Sequence, residues 1–349
     1  MSLDRREKTG RLDLAVMASC GRMGSPRVTS VDVAKAAGVS QSTVSLVFSG
    51  KAAGRISAAT EASVRAVAAE LGYRPNAAAR ALKTGAARTI ALVVPDITNP
   101  FFPRLLRGAQ QAAREAGYAV ALIDTAHDHE WGARSAEALQ SGPADGLLLF
   151  EVDPPPADAG WEPIVVIESD GRGHPSVVLD VVGGTRQAIE HFQDLGHTRI
   201  GHLTSVWDTL TFIRRREVID ELVGGPVPRA KTDFRIDVAH QDARAFLAAN
   251  REMTAVFCDD DVLAAGLYLA ARELGVRIPG DLSVAGFGDF DIGRVLDPPL
   301  TTVIADAATL GRMAFEVLSE QMAGGTPADR TLPVELAVRG STASVDGRR

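Results

Sequence analysis

Cysteine is almost missing from this chain: Cys20 and Cys258 are the only two among 349 residues. Thiols so far apart make neither a metal-binding spacing nor a disulfide framework, so a reducing cytoplasm is the expected compartment. Long apolar runs are missing as well; no stretch approaches the roughly 18–20 residues of a membrane span, and no membrane partner is expected. There is no Walker loop, no GxSxG elbow and no metal-spaced His/Cys set. That leaves no recognisable nucleophile or phosphate cradle for an enzyme, and no cofactor or metal is expected. The tail at 343–349 carries no leucine heptad from which a C-terminal coiled coil is built. A full export signal is lacking too. Arg5, Arg6, Lys8 and Arg11 precede an apolar stretch at 12–18 and then Ser19-Cys20, in the manner of a lipoprotein signal, but Asp13 interrupts a core already at the lower limit of length. Residues 1–27 are expected to be a disordered extension, or to follow from a start codon placed too early, since Met23 stands just before the first organised segment.

What is present describes an ordinary soluble protein, 46% hydrophobic and 23% charged, and too long for one core. The net charge of −7 argues against nucleic acid, yet it hides an asymmetry. Residues 28–85 carry seven Lys/Arg against three acids, Asp32, Glu61 and Glu70, a balance of +4. Residues 86–349 carry 24 Lys/Arg against 38 acids, a balance of −14. A basic head on an acidic body lets one segment meet phosphate while the rest is repelled from it.

The head reads as three short helices. Thr29-x-x-Asp32 has capping-box spacing, in its acidic variant, and opens a helix through Val31, Val33, Ala34 and Ala37. Gly38 supplies a tight turn, and Ser40 caps a second helix from Gln41 to about Phe48. Its apolar positions Val44, Val47 and Phe48 keep the i, i+3, i+4 spacing of a buried stripe; Gln41, Ser42, Ser45 and Thr43 take the other face. After a loop with Gly50 and Gly54, Ser57 caps a third helix to Leu71, which Gly72 ends and Pro75 prevents from resuming. Two short helices across a glycine turn, the second polar-faced, fit a helix-turn-helix DNA reader; they equally fit a three-helix structural subdomain. Residues 76–83 have strong helix propensity but too little length to hold a helix alone, so they are expected to order only on binding something else.

From Arg88 the pattern changes to strands alternating with helices. Strands are expected at 89–95, 119–124, 146–150, 164–167, 177–179, 200–203, 255–258 and 282–286. Helices are expected at 103–116, 131–140, 184–195, 214–222, 242–250 and 261–274. Such alternation predicts parallel sheets covered on both faces, and this many strands suit two doubly wound lobes with a ligand cleft outside the strands' carboxyl ends.

The stretch Val28-Thr-Ser-Val-Asp-Val-Ala-Lys-Ala-Ala-Gly-Val-Ser-Gln-Ser-Thr-Val-Ser45, then Leu71-Gly-Tyr-Arg-Pro-Asn76 and Ala79-Arg-Ala-Leu82, resembles the head of the LacI/GalR family of bacterial repressors. Val93-Val-Pro-Asp-Ile-Thr-Asn-Pro-Phe-Phe102, Asp194-Leu-Gly-His197 and Asp297-Pro-Pro-Leu-Thr-Thr302 look like landmarks of its sensor domain. The resemblance runs in order from about Val28 to about Val338. It implies a helix-turn-helix domain at 28–75, a hinge helix and linker at 76–87, and a two-lobed, periplasmic-binding-protein-like effector and dimerisation domain at 88–342. It further implies a homodimer on a pseudo-palindromic operator of double-stranded DNA, with the helix from Gln41 to Phe48 in the major groove. Gln41 and Ser42 fall where bases are read, and Gln can pair bidentately with adenine. Thr29, Thr43, Ser45, Ser57, Thr60, Tyr73 and Asn76 fall where phosphate is met or the head is braced. Core packing remains open for Tyr73, and plain capping for Ser40, Ser57 and Thr60. Leu46 replaces a frequent guanine-reading Arg, and either joins the core or meets a thymine methyl. In the hinge, with Ala79, Leu82 would be the apolar wedge in the minor groove.

For the sensor domain the resemblance implies a small-molecule effector, a sugar or related metabolite. Asp260 occupies the place of an effector-contacting Asn, and either Arg214 or Arg215 lies near an anchoring Arg. Phe101, Phe102 and Trp207 are stacking candidates, with ordinary core duty open for the phenylalanines. Gly288 replaces an acid that often holds sugar hydroxyls, and Asp289 beside it is either an effector contact or structural. Three consecutive acids, Asp259 to Asp261, cannot all face one ion on a helix, and a helix N-terminus favours acids there. The rival readings are an exported solute-binding protein, which shares the sensor fold without the head, and a doubly wound enzyme.

Overall fold

The computed structural model describes residues 28–74, 86–140, 144–151 and 163–345, in two units that divide after Thr84. The extension expected at 1–27 lies outside the described residues, as do the hinge segment with Asn76, Ala79 and Leu82 and the last four residues.

Among its described residues the first unit holds three helices, α1 (Ser30–Ala37), α2 (Gln41–Phe48) and α3 (Ala58–Glu70). The Thr29 side chain accepts from the Asp32 backbone while Asp32 accepts from Thr29 N–H, which closes the predicted capping box. Gly38 ends α1 at φ 65°, the left-handed cap where a residue without Cβ is unstrained. The chain therefore turns at once into α2. Val33, Ala34, Val44, Val47, Ala52, Val64 and Ala68 are buried together. A core of seven small side chains leaves this unit a modest hydrophobic margin.

The second unit begins with β1 (Thr89–Val94), α4 (Phe101–Glu115), β2 (Ala119–Asp124), α5 (His129–Gln140), β3 (Gly146–Phe150), β4 (Ile164–Ile167) and β5 (Ser176–Leu179). It continues with α6 (Val181–Asp194), β6 (Ile200–Ser205), α7 (Leu210–Val223), β7 (Arg229–Thr232), α8 (Ile236–Ala249), β8 (Ala255–Cys258) and α9 (Asp261–Leu274). Then follow β9 (Ser283–Phe287), α10 (Asp291–Val295), β10 (Thr301–Ile304), α11 (Ala307–Met322), β11 (Arg330–Leu332) and β12 (Glu335–Ala337). One sheet runs β11-β5-β4-β3-β1-β2, parallel throughout. The other runs β12-β10-β9-β8-β6-β7, parallel except for β12 at its edge. The chain passes between the sheets near 180, 305 and 333, so the two lobes share three strands of connection.

The expected two doubly wound lobes are present. Strands buried on both sides explain why their sequences read as continuous apolar runs. In β1, Ile90, Leu92 and Val94 join one core and Ala91 and Val93 the other. Helix α4 starts at Phe101 rather than at Pro103, because proline is tolerated in a first turn whose N–H groups have no partner within the helix. Helices α7 and α8 begin four and six residues earlier than expected. The polar edge strand β7, the short strands β11 and β12, and β10, α10 and α11 are not anticipated.

Helix α11 packs on α4 at very close range. A Cβ on Gly108 would lie 1.8 Å from the Ala308 carbonyl oxygen, and one on Gly311 would lie 2.1 Å from that of Leu105. Backbone oxygens cannot move aside as a side chain can. Gly108→Ala or Gly311→Ala should each destabilise the body by about 2 kcal/mol through overpacking, read by urea unfolding of the full chain; a variant as stable as its parent would refute this close approach.

Candidate functional site

In the head, α2 divides into two faces. Val44 and Val47 are buried, whereas Gln41 and Ser42 are exposed at the helix N-terminus. Gln41 Nε2 donates to Ser30 Oγ of α1 at 3.0 Å, which holds the amide against the preceding helix. Ser40 accepts from Thr43 N–H at 3.1 Å, and its hydroxyl also pairs with those of Ser42 and Thr43 at 2.7 and 2.9 Å. Ser57 caps α3 in the same way, accepting from Thr60 N–H at 3.1 Å. Thr43, Ser45 and Leu46 are half-buried, and Leu46 is not among the side chains packed into the head's core. Tyr73 meets Phe48 edge-on with ring centroids 5.4 Å apart, so it does pack against that core.

In the body, the strand ends of both lobes converge on a cavity. Pro95 follows β1, Phe150 and Glu151 close β3, Glu168 follows β4, and Leu179 ends β5. From the other lobe come Trp207 after β6, Asp259 and Asp260 after β8, Gly288 after β9 and Ala305 after β10. This is the crevice where open parallel sheets bind ligands. A wider space adjoins it, shares Pro95, His127, Phe150, Glu151, Glu168 and Trp207, and is bordered by Asp170, Arg172 and Asp208. The rings of His127 and Trp207 stack at 4.0 Å with planes 9° apart, joining the lobes at that boundary. Asn99 also reaches across, donating to Asp260 Oδ2 at 3.2 Å, and Arg104 donates to the Asp289 carbonyl at 3.0 Å.

The three consecutive acids go three ways. Asp259 receives His202 Nε2 at 3.0 Å, the Thr204 hydroxyl and Ser205 N–H. Burial opposes its ionisation, but His202 and Arg215 outweigh that and hold the carboxyl below its usual range. Asp260 caps α9, accepting from Val262 N–H at 2.7 Å. Asp261 accepts from Thr302 Oγ1 and from Phe290 N–H, at 2.6 and 2.7 Å, and so ties α9 to β10 and to the turn after β9. Arg215, 5% exposed, donates Nη1 to the Asp259 carbonyl at 2.6 Å and lies over the Phe287 ring at 3.6 Å. Its Nε and the Trp207 Nε1 are buried donors with no hydrogen-bond partner.

Glu151 and Glu168 stand on adjacent strand ends, with Glu151 N–H bonded to the Ile167 carbonyl at 3.2 Å. Both have left-handed backbones, φ 51° and 54°, a conformation uncommon outside glycine and found where a site demands it. Glu168 Oε1 accepts from Leu179 N–H. Burial pushes both carboxyls up to about 7; the Leu179 N–H and Arg215 partly counter this at Glu168, and the charge of Glu168 reinforces it at Glu151. Burial and the adjacent Asp261 likewise raise Asp260 to about 7.

Comparison with known proteins places these two units together. Residues 30–76 match the bacterial regulatory proteins of the lacI family, and residues 189–342 match the periplasmic binding protein-like domain. The HTH-type transcriptional repressor CytR of Escherichia coli (strain K12) is 32% identical over 330 residues, 90% of this chain and 96% of the relative. The chain belongs to the lacI family. It is accordingly a DNA-binding transcriptional regulator with an effector-binding domain. The ribose operon repressor of Halalkalibacterium halodurans is 33% identical over 321 residues, 89% of this chain and 96% of that one. Among solved structures, a lac repressor dimer bound to operator and the anti-inducer ONPF gives a TM-score of 0.79 at 26% identity, covering 91% of this chain and 100% of that one. A complex of the regulator CelR with cellobiose gives 0.65 at 28%, covering 90% and 100%.

Of the predicted effector contacts, Phe101, Phe102, Trp207, Arg215 and Asp260 line the cavity of this lacI-family protein; Arg214 and Asp289 do not. Arg214 is exposed on α7 while Arg215, next to it, points inward. Asp289 is taken up by Arg294 and Arg339, whose guanidinium groups hold its carboxyl below the usual range against the opposing effect of burial. At Gly288 the backbone φ is 133° and a Cβ would lie 2.8 Å from the Phe290 ring. An acid at that position is thus excluded, and Phe290 fills the space. The sequence reading misses Glu151, Glu168, Asn99, His127 and the walls Phe150, Phe212, Phe234, Phe287 and Phe290.

The raised glutamates make stability depend on pH. Their folded-state values lie above the unfolded value of about 4.3, so the folded chain holds more protons in between. Their contribution to unfolding free energy must therefore fall as pH rises from about 4.5 to about 7.5 and then level off. Glu168→Gln, which can still accept from Leu179 N–H, should raise Tm at pH 8 by about 2–4 °C for a change near 1 kcal/mol and flatten this slope. Thermal melts at pH 5, 6.5 and 8 check this; a lower Tm than the parent's at pH 8 would contradict it.

Proposed function

We propose that this protein is a cytoplasmic repressor, a regulator rather than an enzyme, that binds a pseudo-palindromic operator as a homodimer and loses or gains operator affinity when a small molecule fills the cleft. The observation that carries the DNA half is α2, which exposes Gln41 and Ser42 at a capped N-terminus while anchoring itself through Val44 and Val47. In this reading Gln41 pairs with an adenine edge and Ser42 makes a second base contact. Thr29, Ser40, Thr43, Ser45, Ser57, Thr60, Tyr73 and Asn76 approach phosphates or brace the helices that do. Leu46, half-buried on the same helix, meets a thymine methyl. Ala79 and Leu82 belong to the hinge, with Leu82 wedged at the central base step. The cavity lies outside the carboxyl ends of the parallel strands, where such sheets hold small ligands; CelR holds cellobiose in its complex, and a sugar or related metabolite is the first class to test.

Selection from a random DNA pool with the full chain should enrich a palindrome, and failure to enrich one with folded protein would sink this reading. Gln41→Ala should then lower operator affinity by 1–3 kcal/mol, roughly 10–100-fold, and relax one position in each half-site. Leu82→Ala should weaken operator binding far more than non-specific binding; equal losses would refute the wedge.

A further inference from the structure

We propose that the effector is an organic cation: a ring compound whose ammonium group meets Glu151 and Glu168 and whose oxygen atoms accept from Arg215 and Trp207. The inference rests on the cleft being the effector site and goes on to the charge of what it takes.

The argument begins with the balance of charge. Glu151, Glu168, Asp259 and Asp260 line the cavity together, and Arg215 is the only Lys or Arg among the described lining residues. Asp259 is already answered by His202, Thr204 and Ser205, and Asp260 by the N-terminus of α9 and by Asn99. The glutamate pair is less fully answered. Glu168 accepts from Leu179 N–H, and Arg215, which acts on both with Arg214 behind it for Glu168, is committed to Asp259. With a neutral ligand the pair, raised to about 7, retains protons instead of ionising. A ligand ammonium lets both carboxyls ionise and pairs with them, whereas an anion would oppose their ionisation.

The walls point the same way. Phe101, Phe102 and Phe150 form an edge-to-face cluster with centroids 4.9–5.7 Å apart beside Glu151. Aromatic faces around carboxylates are the setting in which a desolvated cation is best held. In the same lining, Arg215 Nε and Trp207 Nε1 are unpartnered donors, and Arg215 is almost fully buried. Donors in that position call for oxygen acceptors on the ligand, because a buried N–H without a partner is costly. The ligand is therefore expected to carry oxygen acceptors as well as its ammonium nitrogen.

Two ring frames, each in three charge forms, test this on the full chain: glucosamine, glucose and glucose 6-phosphate; tyramine, tyrosol and 4-hydroxyphenylacetate. At least one amine should raise Tm and bind, by calorimetry, ten times or more tighter than its neutral partner, with no binding by the anion. Its affinity should rise about tenfold from pH 6 to pH 8, with proton release near pH 6.5, as the pair gives up its protons. The charged groups facing the pair are Arg214 and Arg215 from α7, His127 after β2, Asp170 and Arg172 after β4, and Asp208 after β6. Glu151→Gln with Glu168→Gln should lose amine binding at least thirtyfold. Should that variant not fold, the pH series on the parent chain decides. A neutral or anionic member binding as tightly as the amine, an amine affinity flat in pH, or no amine binding at all overturns the inference. If a neutral or anionic member binds and shifts operator affinity, the effector site stands and only its charge is wrong. Binding without any change in operator affinity instead removes the effector reading.

Discussion

A guanidinium survives burial only where carboxylates, carbonyls and aromatic faces replace its water, and Arg215 is built into such a setting. It donates to the Asp259 carbonyl, lies over the Phe287 ring and stands near four acids. Desolvation is the largest influence on it, and the acids that offset this are the ones that shape the cleft. Asp259 in turn fixes His202 and Thr204 of β6 against the end of β8. Moving Arg215 would leave Asp259, Asp260 and both glutamates with less positive charge than they have now. The strand ends, the start of α9 and the orientation of α7 are therefore coupled through one side chain.

The head is organised by weaker means. Its helices begin on hydroxyl caps, each worth about 1 kcal/mol, over a core of small residues. Capping does not by itself bar Ser40 and Ser57 from the DNA contact proposed for them. A hydroxyl that accepts from a backbone N–H still has a proton to donate, and it marks a helix N-terminus, whose dipole favours phosphate; Thr29 already donates its proton to Asp32. The same local chemistry that starts a helix thus prepares a surface for an anionic polymer, in the part of the chain where basic residues exceed acids.

Residues whose role is local are the ones legible from sequence. Thr29, Gly38, Ser40 and Ser57 announce helix ends through neighbours three residues away, and all act as read. The apolar runs of β1, β3 and β4 announce buried parallel strands. Helix α11 also carries a readable stripe in Leu310, Ala314, Phe315 and Leu318, but its closeness to α4 depends on two glycines about 200 residues apart in sequence. Non-local pairing hides the rest. Asp289 looks like a ligand until Arg339 is folded onto it, and Arg215 differs from Arg214 only by which side of α7 faces the cleft. Glu151 and Glu168 were open to a simple rule, since each is the first residue after a predicted strand of a parallel sheet. What no local rule supplies is that two strand ends lie side by side, which is a fact of topology.

That adjacency gives the cleft an internal opposition. Asn99 to Asp260, Arg104 to the turn at Asp289, and the His127–Trp207 stack all draw the lobes together without a ligand. The desolvation of Glu151 and Glu168 as the lobes meet works against that closure. A ligand changes such a balance only by the difference in its affinity for the two arrangements. A cation held by the pair has that difference built in: it gains most where the carboxylates are driest. The same cation in an open cleft would find the pair, still side by side on β3 and β4, hydrated, and would gain less. On the proposed chemistry, the energy that distinguishes closed from open is therefore stored in the charge of the empty site and released when the effector neutralises it.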